Sequence, residues 1–304
     1  MTNADGDTLR VLVTGGEGQL GRSLAEVAIE LGIDLVAPGR ADLDITRPET
    51  IDDALERHRP HVVVNAAAYT AVDRAESEPD SAHAVNATGA GSVAHAAAQA
   101  GIPVIHVSTD YVFDGAKDAP YSETDATAPL NVYGRTKRDG ELQVAAANPR
   151  HVIVRTAWVH SPHGNNFVKT MLRLARERDA LTVVDDQHGH PTYAPHLAAM
   201  ILEIAEQLVE RGADAPSGIF HTAGEGATTW CGLAREVMAC AERSGLPHAI
   251  IAPIATRDYP TPARRPLSTR LDQHRLAGAF GLALPDWRQG VAECVARLAG
   301  HATE

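Results

Sequence analysis

The sequence has 304 residues, 44% of them hydrophobic but only 4% aromatic, so its core must be built from Ala, Val, Leu and Ile. A net charge of −12 with no long basic run argues against general nucleic-acid binding, and no apolar run approaches the ~20 residues of a membrane span. Cys231, Cys240 and Cys294 match no disulfide or metal framework, and the polar leader Met1 to Thr8 lacks the apolar stretch of a signal peptide. The expectation is a cytoplasmic, acidic α/β protein with reduced thiols.

Leu9 to Val13 reads as a buried strand. Thr14-Gly15-Gly16-Glu17-Gly18-Gln19-Leu20-Gly21 follows, then a helical pattern to Leu31. Strand, Gly-rich turn and helix in that order suit a pyrophosphate, because glycine lets backbone N–H groups approach it and the helix N-terminus faces it. Gly15, Gly18, Gln19, Leu20 and Gly21 are therefore candidate cofactor contacts. A short strand, Leu35 to Ala37, ends in Pro38-Gly39-Arg40 where many dinucleotide folds carry a carboxylate for the ribose. A guanidinium pairs with a 2′-phosphate, which favours NADPH and leaves NADH open; a solvated loop Arg is the plain alternative. Asp44 is placed to reach the adenine amino group, beside Ile45.

His61 to Ala68 is a third strand whose small end, Ala66-Ala67-Ala68 before Tyr69, lets a cofactor lie against backbone. Ser81 to Ala100 is a long helical pattern closed by Gly101 and Pro103. Val104 to Val107 is a fourth strand, delivering Ser108-Thr109-Asp110 where open parallel sheets bind ligands. The next helix carries Tyr133 and Lys137, four residues apart and so on one face. A phenol titrates near ~10, and an ammonium beside it favours the phenolate, so the pair suits general acid/base work. Val152 to Thr156 is a further strand, leading to Trp158.

Beyond Trp158 the pattern loosens. Helices are expected over 166–178, 194–211 and 229–245, with a short strand over 181–184. Residues 250–266, with Pro253, Pro260, Pro262 and Pro266 and three arginines, read as an extended, substrate-facing segment or a surface linker. The histidines at 160, 163, 188 and 190 lack zinc-ligand spacing, and no metal site is expected. The repeating βα order gives an α/β, Rossmann-type doubly wound parallel sheet, mainly residues 1–160, with a smaller C-terminal substrate-binding lobe, mainly 161–304, some of whose chain crosses back to the sheet.

The Gly-rich turn, Ser108-Thr109-Asp110 and Tyr133 with Lys137 together resemble the extended short-chain dehydrogenase/reductase superfamily. Val64 to Ala68, Thr70 to Glu76, Ser108 to Phe113, Pro129 to Gly134, Arg155 to Trp158, Gly164 to Phe167 and Tyr259 to Pro266 resemble, more narrowly, the dTDP-4-dehydrorhamnose reductase family, over nearly the whole chain. That resemblance implies NAD(P)H-dependent reduction of the 4-keto group of dTDP-4-dehydro-L-rhamnose, the last step of dTDP-L-rhamnose synthesis. Related 4,6-dehydratases carry a Glu where this chain has Tyr111, so ketone reduction fits better than water elimination. Tyr133, Lys137 and Thr109 would be the catalytic set. Thr70, Val72, Thr109, Asp110 and Trp158 would contact the sugar, and Arg264 and Arg265 are diphosphate candidates by charge. Some members bind Mg²⁺ through glutamates at a dimer interface; Arg22-Ser23 stands there in this chain, which argues against a metal-bridged dimer and leaves monomer and homodimer open. Two other readings share the resemblance: a non-catalytic NADP-binding subunit of the methionine adenosyltransferase type, and a sugar-nucleotide epimerase.

Overall fold

The computed structural model describes residues 8–300. Most of the polar leader lies outside the described residues. Five strands follow the expected order: β1 (Arg10–Thr14), β2 (Asp34–Val36), β3 (Val62–Asn65), β4 (Val104–Thr109) and β5 (His151–Thr156). With Gly218–His221 they form one six-stranded sheet in the order β2-β1-β3-β4-β5 and then Gly218–His221, every pairing parallel. Both faces are covered, which is why these strands are continuous apolar runs without alternation. Val11, Val13, Val64, Ile105 and Val154 pack against the helices Gln19–Leu31 and Ala194–Glu210. Leu12, Val63, Val104 and Ile153 face the helices Pro48–His58, Ala90–Gln99 and Val132–Ala147.

A second apolar cluster lies in the C-terminal part. It joins the helices Phe167–Ala175, Trp230–Arg243 and Trp287–Gly300 to a parallel two-stranded ribbon, Ala180–Val184 with Ile250–Ile254. Strand order reverses between β1 and β3, and ligands of open α/β sheets bind at such a switch point, beyond the carboxyl ends of the strands. The Gly-rich turn after β1 and the Ala66-Ala67-Ala68 segment after β3 flank that point.

Three elements depart from the sequence reading. The helix expected over Ser81 to Ala100 is two α-helical pieces, Pro79–His83 and Ala90–Gln99, joined by a π turn at Ala84–Gly89. That turn delivers Asn86 inward, where its amide bonds both the N–H and the C=O of Tyr69, at 2.8 and 3.1 Å. The strand Gly218–His221 returns the chain to the sheet edge, but four residues are too few to carry a period. In the Pro-rich segment, Ile250–Ile254 is regular strand: Pro253 is tolerated on a two-stranded ribbon that has edges to spare.

Candidate active site

The site starts in the turn after β1. Gly15 has φ +72°, and a Cβ there would meet the Ala67 backbone at 2.7 Å. A Cβ on Gly21 would sit 2.4 Å from the carbonyl oxygen of Gly15, so the helix enters hard against the turn. Gly16 lies outside the regular glycine spacing yet is tighter still, its Cβ falling 2.1 Å from the carbonyl oxygen of Ala37. The helix Gln19–Leu31 begins on Gly18 with no side-chain cap and no acidic residue in its first turn. Its leading N–H groups and positive dipole end are thus available to a pyrophosphate, and the small residues Ala66 to Ala68 line the facing wall. The residues present fit a dinucleotide.

The turn opens into a cleft of about 750 Å³. Gly15, Gly18, Gln19, Leu20, Gly21, Arg40, Asp44, Ile45, Ala66, Ala67, Ala68, Tyr69, Thr70, Val72, Thr109, Asp110, Tyr133, Lys137 and Trp158 all line it. At the mouth, Arg40 is exposed and donates through Nε to Asp44 at 3.2 Å. Gln19 does more than border the turn: its amide oxygen accepts from Asn166 at 2.8 Å and from Ser161 at 3.1 Å, tying the turn to the loop beyond Trp158.

Tyr133 and Lys137 are fixed by the start of their helix. Asn131 caps it, accepting from the N–H of Gly134 at 2.8 Å, and Glu76 accepts from the N–H of Val132 at 2.7 Å. Two of the leading donors are thus satisfied by side chains, so the first turn that carries Tyr133 is held at two points. Lys137 is buried, its ammonium donating to the carbonyl of Val107 at 2.7 Å and lying 3.2 Å from Nε2 of His106. Burial drives the Lys137 amine down to about 8, with the Glu141 carboxylate opposing. The Tyr133 phenol is pushed up to about 12 by burial, against the pull of a hydrogen bond with Thr109. The sequence-based expectation that Lys137 lowers the phenol is not met: desolvation and the nearby Asp110 charge raise it, and the ammonium is bonded toward the sheet at Val107 and His106. The phenol is consequently protonated at neutral pH, the state a proton donor needs.

Asp110 is buried beside them. It accepts from Thr109 at 3.0 Å and from Thr269 at 2.5 Å, and burial raises its carboxyl to about 6. Trp158 has φ +44°, uncommon for a bulky residue, and stacks on Trp230 at 3.8 Å and 13°. Trp230 and Phe167 continue the aromatic wall. Trp230 escaped the sequence reading because it lies far along the chain from Trp158 and opens a helix with no motif around it. Its only signal is rarity, as one of three tryptophans.

Two candidates are not brought to the cleft. Arg265 makes a bidentate pair with Asp73, at 2.8 and 3.0 Å, and is a strut between the Pro-rich segment and the short helix Val72–Ala75 that follows β3. Arg264 is exposed, and its carbonyl accepts from Asn131 at 2.9 Å. The charge of Arg265 is spent on a fold contact, whereas that of Arg264 is left to solvent. His190 is structural, with Nε2 accepting from the N–H of Leu271 and Nδ1 bonded to the carbonyl of Gly226.

Comparison with known proteins extends this geometry. The family model described as the RmlD substrate binding domain matches residues 9–299. The chain is similar to a dTDP-4-dehydrorhamnose reductase of Sinorhizobium fredii, 43% identical over 94% of this chain and 97% of that protein. A crystal structure of the Clostridium acetobutylicum dTDP-4-dehydrorhamnose reductase superposes with a TM-score of 0.88 at 35% identity, covering 95% of this chain and 99% of the other. The Bacillus anthracis reductase, solved in complex with NADP, gives 0.87 at 34% identity, covering 95% and 99%. The chain belongs to the RmlD substrate-binding-domain family, that of the dTDP-4-dehydrorhamnose reductases.

Proposed function

We propose that this protein reduces the 4-keto group of dTDP-4-dehydro-L-rhamnose to give dTDP-L-rhamnose, using NADPH. The observation that carries the reading is the pairing, in one cleft, of an uncapped helix N-terminus built for a pyrophosphate with a doubly capped helix presenting Tyr133 and the buried Lys137. Gly15, Gly18, Gln19, Leu20 and Gly21 would hold the pyrophosphate, Arg40, Asp44 and Ile45 the adenosine end, and Ala66 to Tyr69 the path to the nicotinamide. The reduced nicotinamide, when bound, supplies hydride to C4 of the sugar.

Tyr133 gives its phenolic proton to the oxygen that becomes the C4 hydroxyl. Lys137 holds the nicotinamide ribose and stabilises the phenolate left behind; solvent then restores the phenolic proton. Thr109 bonds the phenol and orients it, so that proton and acceptor meet without a search. Thr70, Val72, Asp110 and Trp158 take the sugar. Arg264, exposed on the Pro-rich segment, is kept for the diphosphate, whereas Arg265 is assigned to the fold. The buried, free thiols and the absence of a membrane-spanning helix among the described residues support a cytoplasmic location.

The test is NADPH consumption with dTDP-4-dehydrorhamnose made in situ, with NADH run in parallel. Substrate-dependent consumption, faster with NADPH, is expected. Tyr133→Phe should bind NADPH normally and lose about 10²- to 10⁴-fold in turnover. Normal turnover by that variant would remove Tyr133 as the acid. NADPH binding without consumption would move the protein to a non-catalytic partner role, and a cofactor that survives gel filtration to an epimerase.

A further inference from the structure

One rung of the sheet is out of character. Thr14, Asn65 and His106 are register partners across β1, β3 and β4. The neighbouring rung on the same face, Leu12, Val63 and Val104, is wholly apolar, and the polar rung itself ends in Ile153 on β5. All three polar side chains are buried, His106 and Asn65 at 0% exposure. Three buried polar groups in a sheet interior cost free energy that an apolar rung would not, unless each is hydrogen-bonded and something is gained. They are bonded end to end: Thr14 Oγ1 to Asn65 Oδ1 at 2.6 Å, Asn65 Nδ2 to His106 Nδ1 at 3.1 Å, and His106 Nε2 to Lys137 Nζ at 3.2 Å. The row runs from the N–H of Ala67, from which Thr14 Oγ1 accepts at 3.3 Å, to Lys137.

We propose that His106 is a positioning residue for Lys137: its imidazole, braced by Asn65 and Thr14, together with the Val107 carbonyl holds the ammonium at the back of the cleft and leaves its third hydrogen for the cofactor ribose. This rests on the role given to Lys137 above. An ammonium can only donate, so beside charged Lys137 the Nε2 atom must accept and the imidazole hydrogen sits on Nδ1. Asn65 then turns its amide oxygen to His106 and its NH₂ to Thr14. Beside neutral Lys137 the pattern inverts: Nε2–H donates to the amine, Nδ1 accepts from Asn65 Nδ2, and Thr14 donates to Asn65 Oδ1, the orientation the structure shows. Both patterns keep Thr14, Asn65, His106 and Lys137 linked in one row, and a half-turn of one amide interconverts them. The row therefore keeps a bond to Lys137 in either charge state, His106 Nε2 accepting from the ammonium or donating to the amine. Burial holds His106 neutral, as both patterns require. The other titratable groups about Lys137 are Tyr133 and Glu141 on its own helix, with Asp110 beyond the end of β4 acting on Tyr133.

The test compares His106→Leu, which removes the acceptor, with His106→Gln, whose amide oxygen reaches the Nε2 position. NADPH affinity by fluorescence titration across pH, and kcat/KM for the keto-sugar across pH, are both measured. For His106→Leu, NADPH affinity and kcat/KM should each fall about tenfold or more. The basic limb should move down by about one pH unit, since the charged amine loses a partner. His106→Gln should restore the limb. Thr14→Val, a milder change at the far end of the row, should move it in the same direction by less and guards against His106→Leu failing to fold. A His106→Leu protein of lower thermal stability but unchanged limb and NADPH affinity would make His106 a packing residue and overturn the proposal. If the wild-type protein binds NADPH but reduces no keto-sugar, the functional reading fails while the binding-versus-pH arm still decides the role of His106.

Discussion

At the scale of single residues, the decisive quantities are two protonation states. Reduction needs the Tyr133 phenol protonated and the Lys137 amine charged. Burial moves the phenol up to about 12 and the amine down to about 8, so the two demands are met together below pH 8. As pH rises through about 8, Lys137 loses its charge first, while Tyr133 is still protonated. The prediction is a basic limb in kcat/KM near pH 8, a quantity that reports groups of the free enzyme. A pH–rate profile checks it; activity holding flat to pH 10 would mean that the ammonium is dispensable or far better solvated than its place beneath the cleft implies. Most residues lining the cleft were legible because they belong to short strings whose chemistry is local: a glycine turn, a Tyr-x-x-x-Lys face, hydroxyls at a strand end; Trp230 belongs to none. Arg265 was not legible, because its partner Asp73 lies 192 residues away and only the fold brings them together. His106 was hidden for the same reason, as a lone histidine in an apolar strand.

At the scale of elements, the helix Val132–Ala147 sets the site, and its glycines explain its placement. A Cβ on Gly134 would fall 2.2 Å from the carbonyl oxygen of Tyr111, and one on Gly140 would fall 2.0 Å from that of Asn86. The helix therefore lies against the segment after β4 on one side and the π turn on the other, at a distance only glycine permits. Gly140→Ala should destabilise the protein by about 1–3 kcal/mol, because the overlap meets backbone that cannot yield. This exceeds the ~1 kcal/mol that alanine contributes to helix propensity. Gly278→Ala, on the exposed helix His274–Phe280 with open space around it, is the control and should be neutral or slightly stabilising. Denaturant melts of both variants decide it; equal midpoints would show that the helix can shift without cost. A helix here is readable from sequence, but its closeness to a neighbour is a tertiary property, as is the π turn that breaks the long run of helical residues near Asn86.

At the scale of the whole molecule, the cleft is closed by contacts that join distant parts of the chain. Gln19 holds Asn166 and Ser161, Asn131 holds the carbonyl of Arg264, and Asp73 holds both Arg265 and the N–H of Ala263. The last two fasten the Pro-rich segment beside the Tyr133 helix, so the segment acts through where it is placed. If Arg265 is a strut, Asp73→Ala and Arg265→Ala each release the same segment. Each should raise the KM for the sugar nucleotide several-fold with the KM for NADPH unchanged, and the double variant should be no worse than either single one, as expected of two residues sharing one interaction. The pair is partly exposed, so its effect on global stability should be small, within about 1 kcal/mol. A diphosphate ligand behaves differently. Arg265→Ala alone would then weaken the sugar nucleotide, Asp73→Ala would leave the freed guanidinium able to bind it, and the double variant would follow the arginine. The pattern across these three proteins separates a charge that grips the substrate from one that holds the wall in place.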